Sequence, residues 1–204
     1  MKVLLVNGSP NEHGCTYTAL HEVEKTLNAE GIETVMFHIG TEPLSSCSGC
    51  SCCEESGRCI LDDRVNDALD LAEKCDAYVF GSPVHYAGIS GDMKSFMDRF
   101  TWAGDHRLKP AAAVVSCRRA GATATLDALN KYMTIAQMPL VSSCYWNMVH
   151  GKTPDEVVQD LEGMQVMRTL GRNMAWLLKS IEAGKRAGLE PPVQEDRIMT
   201  NFIR

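Results

Sequence analysis

No apolar stretch of this 204-residue chain approaches the roughly 20 residues that span a bilayer, so no transmembrane helix is expected. Basic residues are outnumbered, 20 Lys and Arg against 26 Asp and Glu, and no basic stripe collects them. Nucleic acid is therefore not an expected partner. The first residues already read as a strand, with Lys2 as the only basic residue and no small-residue cleavage site. That argues against a signal peptide and predicts a cytoplasmic address. No Gly-Lys-Ser/Thr completes a Walker A loop, and no Gly-x-Gly-x-x-Gly supplies the usual dinucleotide fingerprint. Repeats, low-complexity runs and domain linkers are also missing. With 45% hydrophobic residues, one domain over 1–184 is expected, with 185–204 as a tail laid on the surface or on a neighbouring subunit.

What is present begins at the N-terminus. Lys2 to Val6 is a short, nearly all-apolar run, the pattern of a strand buried on both faces. Asn7-Gly8-Ser9-Pro10 breaks it, and a helical pattern starts near Cys15. A strand, a tight polar loop and a helix start make an anion cradle, because the free N–H groups of the first turn and the helix dipole both favour negative charge. Ser9, Thr16 and Thr18 add hydroxyl donors there. The same residues also suit an ordinary turn in which Ser and Thr act as caps. Only the loops further along can separate these readings.

Leu20, Val23 and Leu27 recur at helical spacing, and Gly31 closes that helix. Ile32–Ile39 reads as a second strand, Thr41–Cys59 as a loop, and Asp62-Asp63 as the acidic start of a second helix. Ala77–Phe80 and Ala111–Val115 are further buried strands, and Pro139–Val141 is expected to begin the fifth. Helices are expected over Ser90–Arg99, from Gly121 to about Ala136, and from Thr153 to Gly184 with a break near Gly163 or Gly171. Strand–helix units repeated about five times predict an α/β fold, a doubly wound five-stranded parallel sheet with helices on both faces.

In such a sheet, ligands sit at the carboxyl ends of the strands. Three strands end there in unusual loops: Asn7–Gly14, Gly81–Ser90 and Ser116–Gly121. Gly8-Ser-Pro with Gly14-Cys-Thr16, then Gly81-Ser-Pro-Val-His-Tyr86, then Met93-Lys-Ser-Phe-Met-Asp-Arg99 together resemble the NADPH-dependent FMN reductases of the flavodoxin-like superfamily. The resemblance covers essentially the whole chain. It implies non-covalent FMN, with the phosphate on Ser9, Asn11, Cys15, Thr16, Tyr17 and Thr18. It further implies an isoalloxazine against Pro83, Val84, His85 and Tyr86, flanked by Ser116, Arg118, Arg119 and Gly121. Cys15 stands where relatives often carry Asn or Ser, and Cys117-Arg118-Arg119 where many have a Gly-rich run. The two arginines suit a reduced anionic flavin or the 2′-phosphate of NADPH, and equally suit a plain surface pair. Hydride moves directly from nicotinamide to flavin, so no catalytic side chain is assigned.

Nine cysteines is an odd and high number, and five of them fall between positions 47 and 59. Cys47-x2-Cys50-x2-Cys53-x5-Cys59 is a compact four-thiolate spacing, with Cys52 as an extra. It resembles the iron–sulfur flavoproteins, a branch of the same family, and makes these four the candidate ligands of a [4Fe–4S] cluster. A metal-free cysteine loop, and zinc or a redox disulfide, stay open beside it. Glu54, Glu55, Asp62 and Asp63 flank the loop and work against a negative cluster. Cys75, Cys117 and Cys144 read as buried small residues.

Trp102, Trp146, Trp176 and the methionines of the later half are either core or a subunit interface. The family resemblance favours a homo-oligomer, a dimer or tetramer, with Tyr145–Gly151 near a neighbour's flavin. The expected activity is NAD(P)H-dependent reduction through FMN of a small acceptor: a flavin, quinone, azo or nitro compound. The rivals are an electron carrier between proteins, through FMN and the cluster, and a flavin-free binding module.

Overall fold

A computed structural model describes residues 1–202. Five parallel strands form its sheet: β1 (Lys2–Asn7), β2 (Glu33–His38), β3 (Ala77–His85), β5 (Ala111–Cys117) and β6 (Met148–His150). They lie in the order β2-β1-β3-β5-β6, so the chain reverses direction across the sheet between β1 and β3. A short β4 (Gly88–Ile89) turns back antiparallel on the end of β3. The strands are buried on both faces because alternate side chains feed two separate cores. Val3, Leu5, Val79, Ala112 and Val114 face the layer of α1 (Cys15–Ala29) and α7 (Leu161–Arg186). Leu4, Val6, Tyr78, Phe80, Ala113 and Val115 face α3 (Arg64–Ala72), α4 (Gly91–Ala103) and α5 (Ala122–Ile135). No helix among the described residues is long and apolar enough to cross a membrane.

Three boundaries differ from the sequence reading. Pro139–Val141 touches the sheet only at Leu140 opposite Ala111, held by Ala111 N–H to Pro139 O at 2.9 Å and Val141 N–H to Ala111 O at 2.9 Å. The chain then leaves the edge and returns at Met148, which is the fifth strand. Thr153 caps a four-residue helix, α6 (Pro154–Val157), by accepting from the Glu156 N–H. The break before the long helix falls at Gln159–Asp160, where Asp160 caps α7 through the Gly163 N–H at 2.9 Å. Gly171 does not interrupt α7 but lets it close on α1, since a Cβ there would lie 2.8 Å from Cβ of Thr26. The methionines Met133, Met138, Met148, Met164, Met167 and Met174 are all core. Beyond α7 the chain packs back on itself through Arg107, which donates to Pro192 O at 3.3 Å and to Gln194 Oε1 at 3.2 Å.

His106 sits in the α4-side core, stacked on Phe100 and edge-on to Tyr78. Its Nε2 donates to Phe100 O at 2.8 Å, because a carbonyl can only accept, and Nδ1 lies 3.2 Å from the Tyr78 hydroxyl. Burial pushes the imidazole below its ordinary value. The unfolded chain therefore binds a proton below about pH 6.5 that the folded chain refuses. This contribution is complete above that pH and falls away beneath it, by up to about 1.4 kcal/mol per pH unit until the folded imidazole itself titrates. Urea unfolding between pH 7 and 5 is expected to show a shallower acid loss for His106→Phe than for the wild type; parallel curves would refute it.

Candidate flavin site and cysteine cavity

The β1–α1 loop is built by its own side chains. Asn7 is buried, its Nδ2 donating to Glu12 O at 2.9 Å and its Oδ1 accepting from the Ser9 N–H at 3.1 Å. Ser9 Oγ accepts from the Asn11 N–H at 3.1 Å, and His38 Nε2 reaches Ser9 O at 2.8 Å. Gly14 is the N-cap of α1 and offers no side chain to it. The N–H groups of Cys15, Thr16 and Tyr17 are thus the uncapped donors of the first turn, with no acid nearby in that turn.

The other two carboxyl-edge loops are locked to this one. Gly8 N–H donates to Gly81 O at 2.9 Å, and Ser90 Oγ donates to Gly8 O at 2.8 Å. Thr16 Oγ1 and Ser116 Oγ share a buried bond of 2.8 Å between α1 and β5. Gly121, at φ +89°, lies so close to the β3–β4 hairpin that a Cβ would be 2.7 Å from Cα of Ala87. The three loops named from the sequence therefore meet, with Gly8, Thr16, Gly81, Val84, Ser90, Ser116 and Gly121 at their junctions.

The individual side chains divide. Thr16 and Ser116 spend their hydroxyls on each other, leaving Thr16 its N–H. Thr18 Oγ1 donates to Gly14 O at 3.1 Å, and the Cys15 thiol points to Gly151 O at 3.7 Å. Burial pushes that thiol up. Tyr17 is stacked on His21 and edge-on to His13. Pro83 and Val84 are half-buried walls at the end of β3, whereas His85, Tyr86, Arg118, Arg119 and Asn11 are exposed. Tyr86 and Ala87 form the hairpin tip with φ of +48° and +59°, a left-handed pair normally left to Asn and Gly. Strain of this kind collects at ligand clamps.

The cysteine loop builds a second feature. Cys47, Cys50, Cys53 and Cys59 line one cavity of about 300 Å³ with Ile60, Leu61, Arg99 and Trp102. All nine cysteines are free. The four thiols share the cavity without closing on a point, and no group of three or more His, Cys, Asp or Glu among the described residues is gathered for a metal. The Cys50 thiol is held below its ordinary value, chiefly by the Cys52 N–H, while burial pushes Cys53 up. Cys53 opens a four-residue helix, α2 (Cys53–Ser56), inside what the sequence presents as loop. Cys75 and Cys117 are buried as expected, but Cys144 is exposed, its strand having moved to Met148.

Arg99 is the buried cation whose partners the sequence hid. Its side chain is 1% exposed, yet every guanidinium nitrogen has a partner. Nη1 and Nη2 hold Asp63 at 2.7 and 2.8 Å, and the remaining donors reach Ser45 O at 3.3 Å, Leu61 O at 3.2 Å and Cys59 Sγ at 3.1 Å. Burial works against its charge, and the bonds from Asp63 and Cys59 more than offset that. Asp63 is consequently neutralised and does not confront the cysteines as a free anion.

Comparison with known proteins agrees with this geometry. The family model for NADPH-dependent FMN reductases matches residues 1–153. An iron–sulfur flavoprotein of Methanocaldococcus jannaschii is 30% identical over 192 residues, covering 89% of this chain and all of that protein. Among solved structures, a flavone reductase superposes with a TM-score of 0.70 at 18% identity, over 89% of this chain and 64% of that one. A flavodoxin, WrbA-like protein from Agrobacterium tumefaciens gives 0.61 at 17% identity, over 88% and 98%. Their likeness is one of fold. With a flavodoxin-like sheet, a matching family model and a full-length relative, the chain belongs to the NADPH-dependent FMN reductase family, alongside the iron–sulfur flavoproteins.

Proposed function

We propose that the protein is an FMN-containing, NAD(P)H-dependent oxidoreductase that passes electrons to a small acceptor of the flavin, quinone, azo or nitro class. The observation that carries this reading is the uncapped start of α1, enclosed by three loops bonded to one another. Its residues fit FMN: the N–H groups of Cys15, Thr16 and Tyr17, with Ser9, Asn11 and Thr18 beside them, suit a phosphate. Pro83, Val84, His85 and Tyr86 would face the ring, with Ser116, Arg118, Arg119 and Gly121 along its edge. Bound FMN supplies the atom that accepts hydride and can release electrons singly or in pairs. The chain binds, orients and excludes water, and no side-chain acid or base is assigned. Bonds between its loops hold the site's backbone in place, which lowers the ordering cost of binding.

The four cysteines support a second reading, an electron carrier between proteins. Four thiols from one loop, opening on one cavity beside a buried cation, suit a [4Fe–4S] cluster better than a tetrahedral zinc site, which usually takes two separated pairs. Cys47, Cys50, Cys53 and Cys59 would hold it, and it would supply one-electron transfer. Exposed Trp102, Trp146 and Trp176, at 54%, 56% and 70%, support a homo-oligomer, with the segment after α7 on this chain or on a neighbour. Nine free thiols suit a reducing, cytoplasmic setting.

Stopped-flow mixing without oxygen separates the two readings. An oxidoreductase is expected to lose its oxidised-flavin absorbance within seconds on NADPH or NADH alone. Bleaching that waits for an added reduced carrier protein would overturn the first reading in favour of the second.

A further inference from the structure

The contact between Arg99 and Cys59 goes beyond fastening a loop. Of the four candidate ligands, Cys59 alone receives a hydrogen bond from a buried cation among the described residues: Arg99 Nε donates to its Sγ at 3.1 Å. That guanidinium comes from α4, whose apolar residues Met93, Phe96, Met97 and Phe100 are wholly buried, so its position is fixed by the core. Asp63 holds the other edge of its plane through two bonds, which aims Nε at the sulfur rather than at solvent. The nearby Arg58 makes the contrast. It is exposed, pairs with Asp70, and makes no bond to a thiol.

We infer that Arg99 is a positioning residue of the four-cysteine site, which fixes Cys59 as a ligand and favours the reduced form of the centre held there. The inference rests on the cluster reading above. The physical reason is that each added electron increases negative charge on the sulfurs. A hydrogen bond to sulfur and a buried positive charge beside it both stabilise that form. A surface cation such as Arg58 is screened by water and contributes little.

The test uses full-length protein reconstituted anaerobically with iron and sulfide. Iron and sulfide are assayed first, so that an iron-free wild type overturns the cluster reading, and this inference with it, before any variant is compared. With the cluster present, the wild type labelled with ¹⁵N in its arginine side chains is expected to show guanidine nitrogen coupled to the reduced cluster by pulsed electron paramagnetic resonance. Arg99→Lys, which keeps the charge opposite Asp63 and so the fold, removes that coupling. It is also expected to weaken the preference for the reduced state about tenfold, a midpoint about 59 mV lower for one electron. Arg58→Lys is expected to leave coupling and midpoint unchanged. A wild type without coupled nitrogen, or an Arg99→Lys midpoint equal to that of the wild type, would overturn the role assigned to Arg99.

Discussion

Arg99→Leu is expected to lower the unfolding free energy by about 3 kcal/mol, measured by urea titration of the metal-free protein under reducing conditions. Removing one member of a buried pair leaves the other charge without its partner, at a typical cost of about 3–5 kcal/mol. The lower end applies because Asp63 keeps 30% exposure and recovers some water. Ser45 O and Leu61 O lose donors at the same time, so the whole segment from Ser45 to Asp63 loosens. Adding Asp63→Asn to Arg99→Leu is expected to restore part of the loss. Asparagine still caps α3 at the Val65 N–H, and the stranded charge is gone. Two single losses that simply add would show that Arg99 and Asp63 do not act as a pair.

Gly8→Val strikes the proposed flavin edge instead. A Cβ at Gly8 would stand 2.5 Å from Met93 Sδ, 2.7 Å from Met93 Cγ and 2.8 Å from Gly81 O. The methionine tip can move, but the Gly81 carbonyl is strand backbone and also accepts the Gly8 N–H. The β1–α1 loop must therefore shift away from β3, carrying the first-turn N–H groups with it. Overpacking of this kind costs about 1–3 kcal/mol. If that cost falls on the flavin-binding conformation, FMN affinity drops about tenfold to a hundredfold. Fluorescence titration of the apoprotein with FMN reads this directly. Wild-type affinity in Gly8→Val would mean that the phosphate does not sit in the β1–α1 loop.

The sequence made the carboxyl edge legible because its signals are local. A buried run ending in Asn-Gly-Ser-Pro and a helical period from Cys15 define β1 and α1 within one residue of their observed limits. The fifth strand was misplaced for a physical reason. Pro139-Leu140-Val141 has the composition of a strand, but it pairs at only one residue. The true edge strand follows Tyr145 and Trp146, which are apolar and yet exposed. Hydrophobicity there reports a surface, not a core. The hairpin at Tyr86-Ala87 was also hidden, since neither residue advertises positive φ. Arg99 stood in plain view inside a quoted motif. Its meaning depended on Asp63, 36 residues away, and on a thiol 40 away, and no local period encodes such a meeting.

The direct test of whether this chain holds both proposed redox centres, FMN and a [4Fe–4S] cluster, is an absorbance spectrum of protein purified without oxygen, with FMN, iron and acid-labile sulfide assayed on the same sample. Flavin bands over a broad brown shoulder, with about one FMN and about four iron per chain, are expected. Flavin bands without iron, after anaerobic reconstitution has also failed, would contradict the cysteine half. A colourless protein that takes up no FMN would contradict the flavin half.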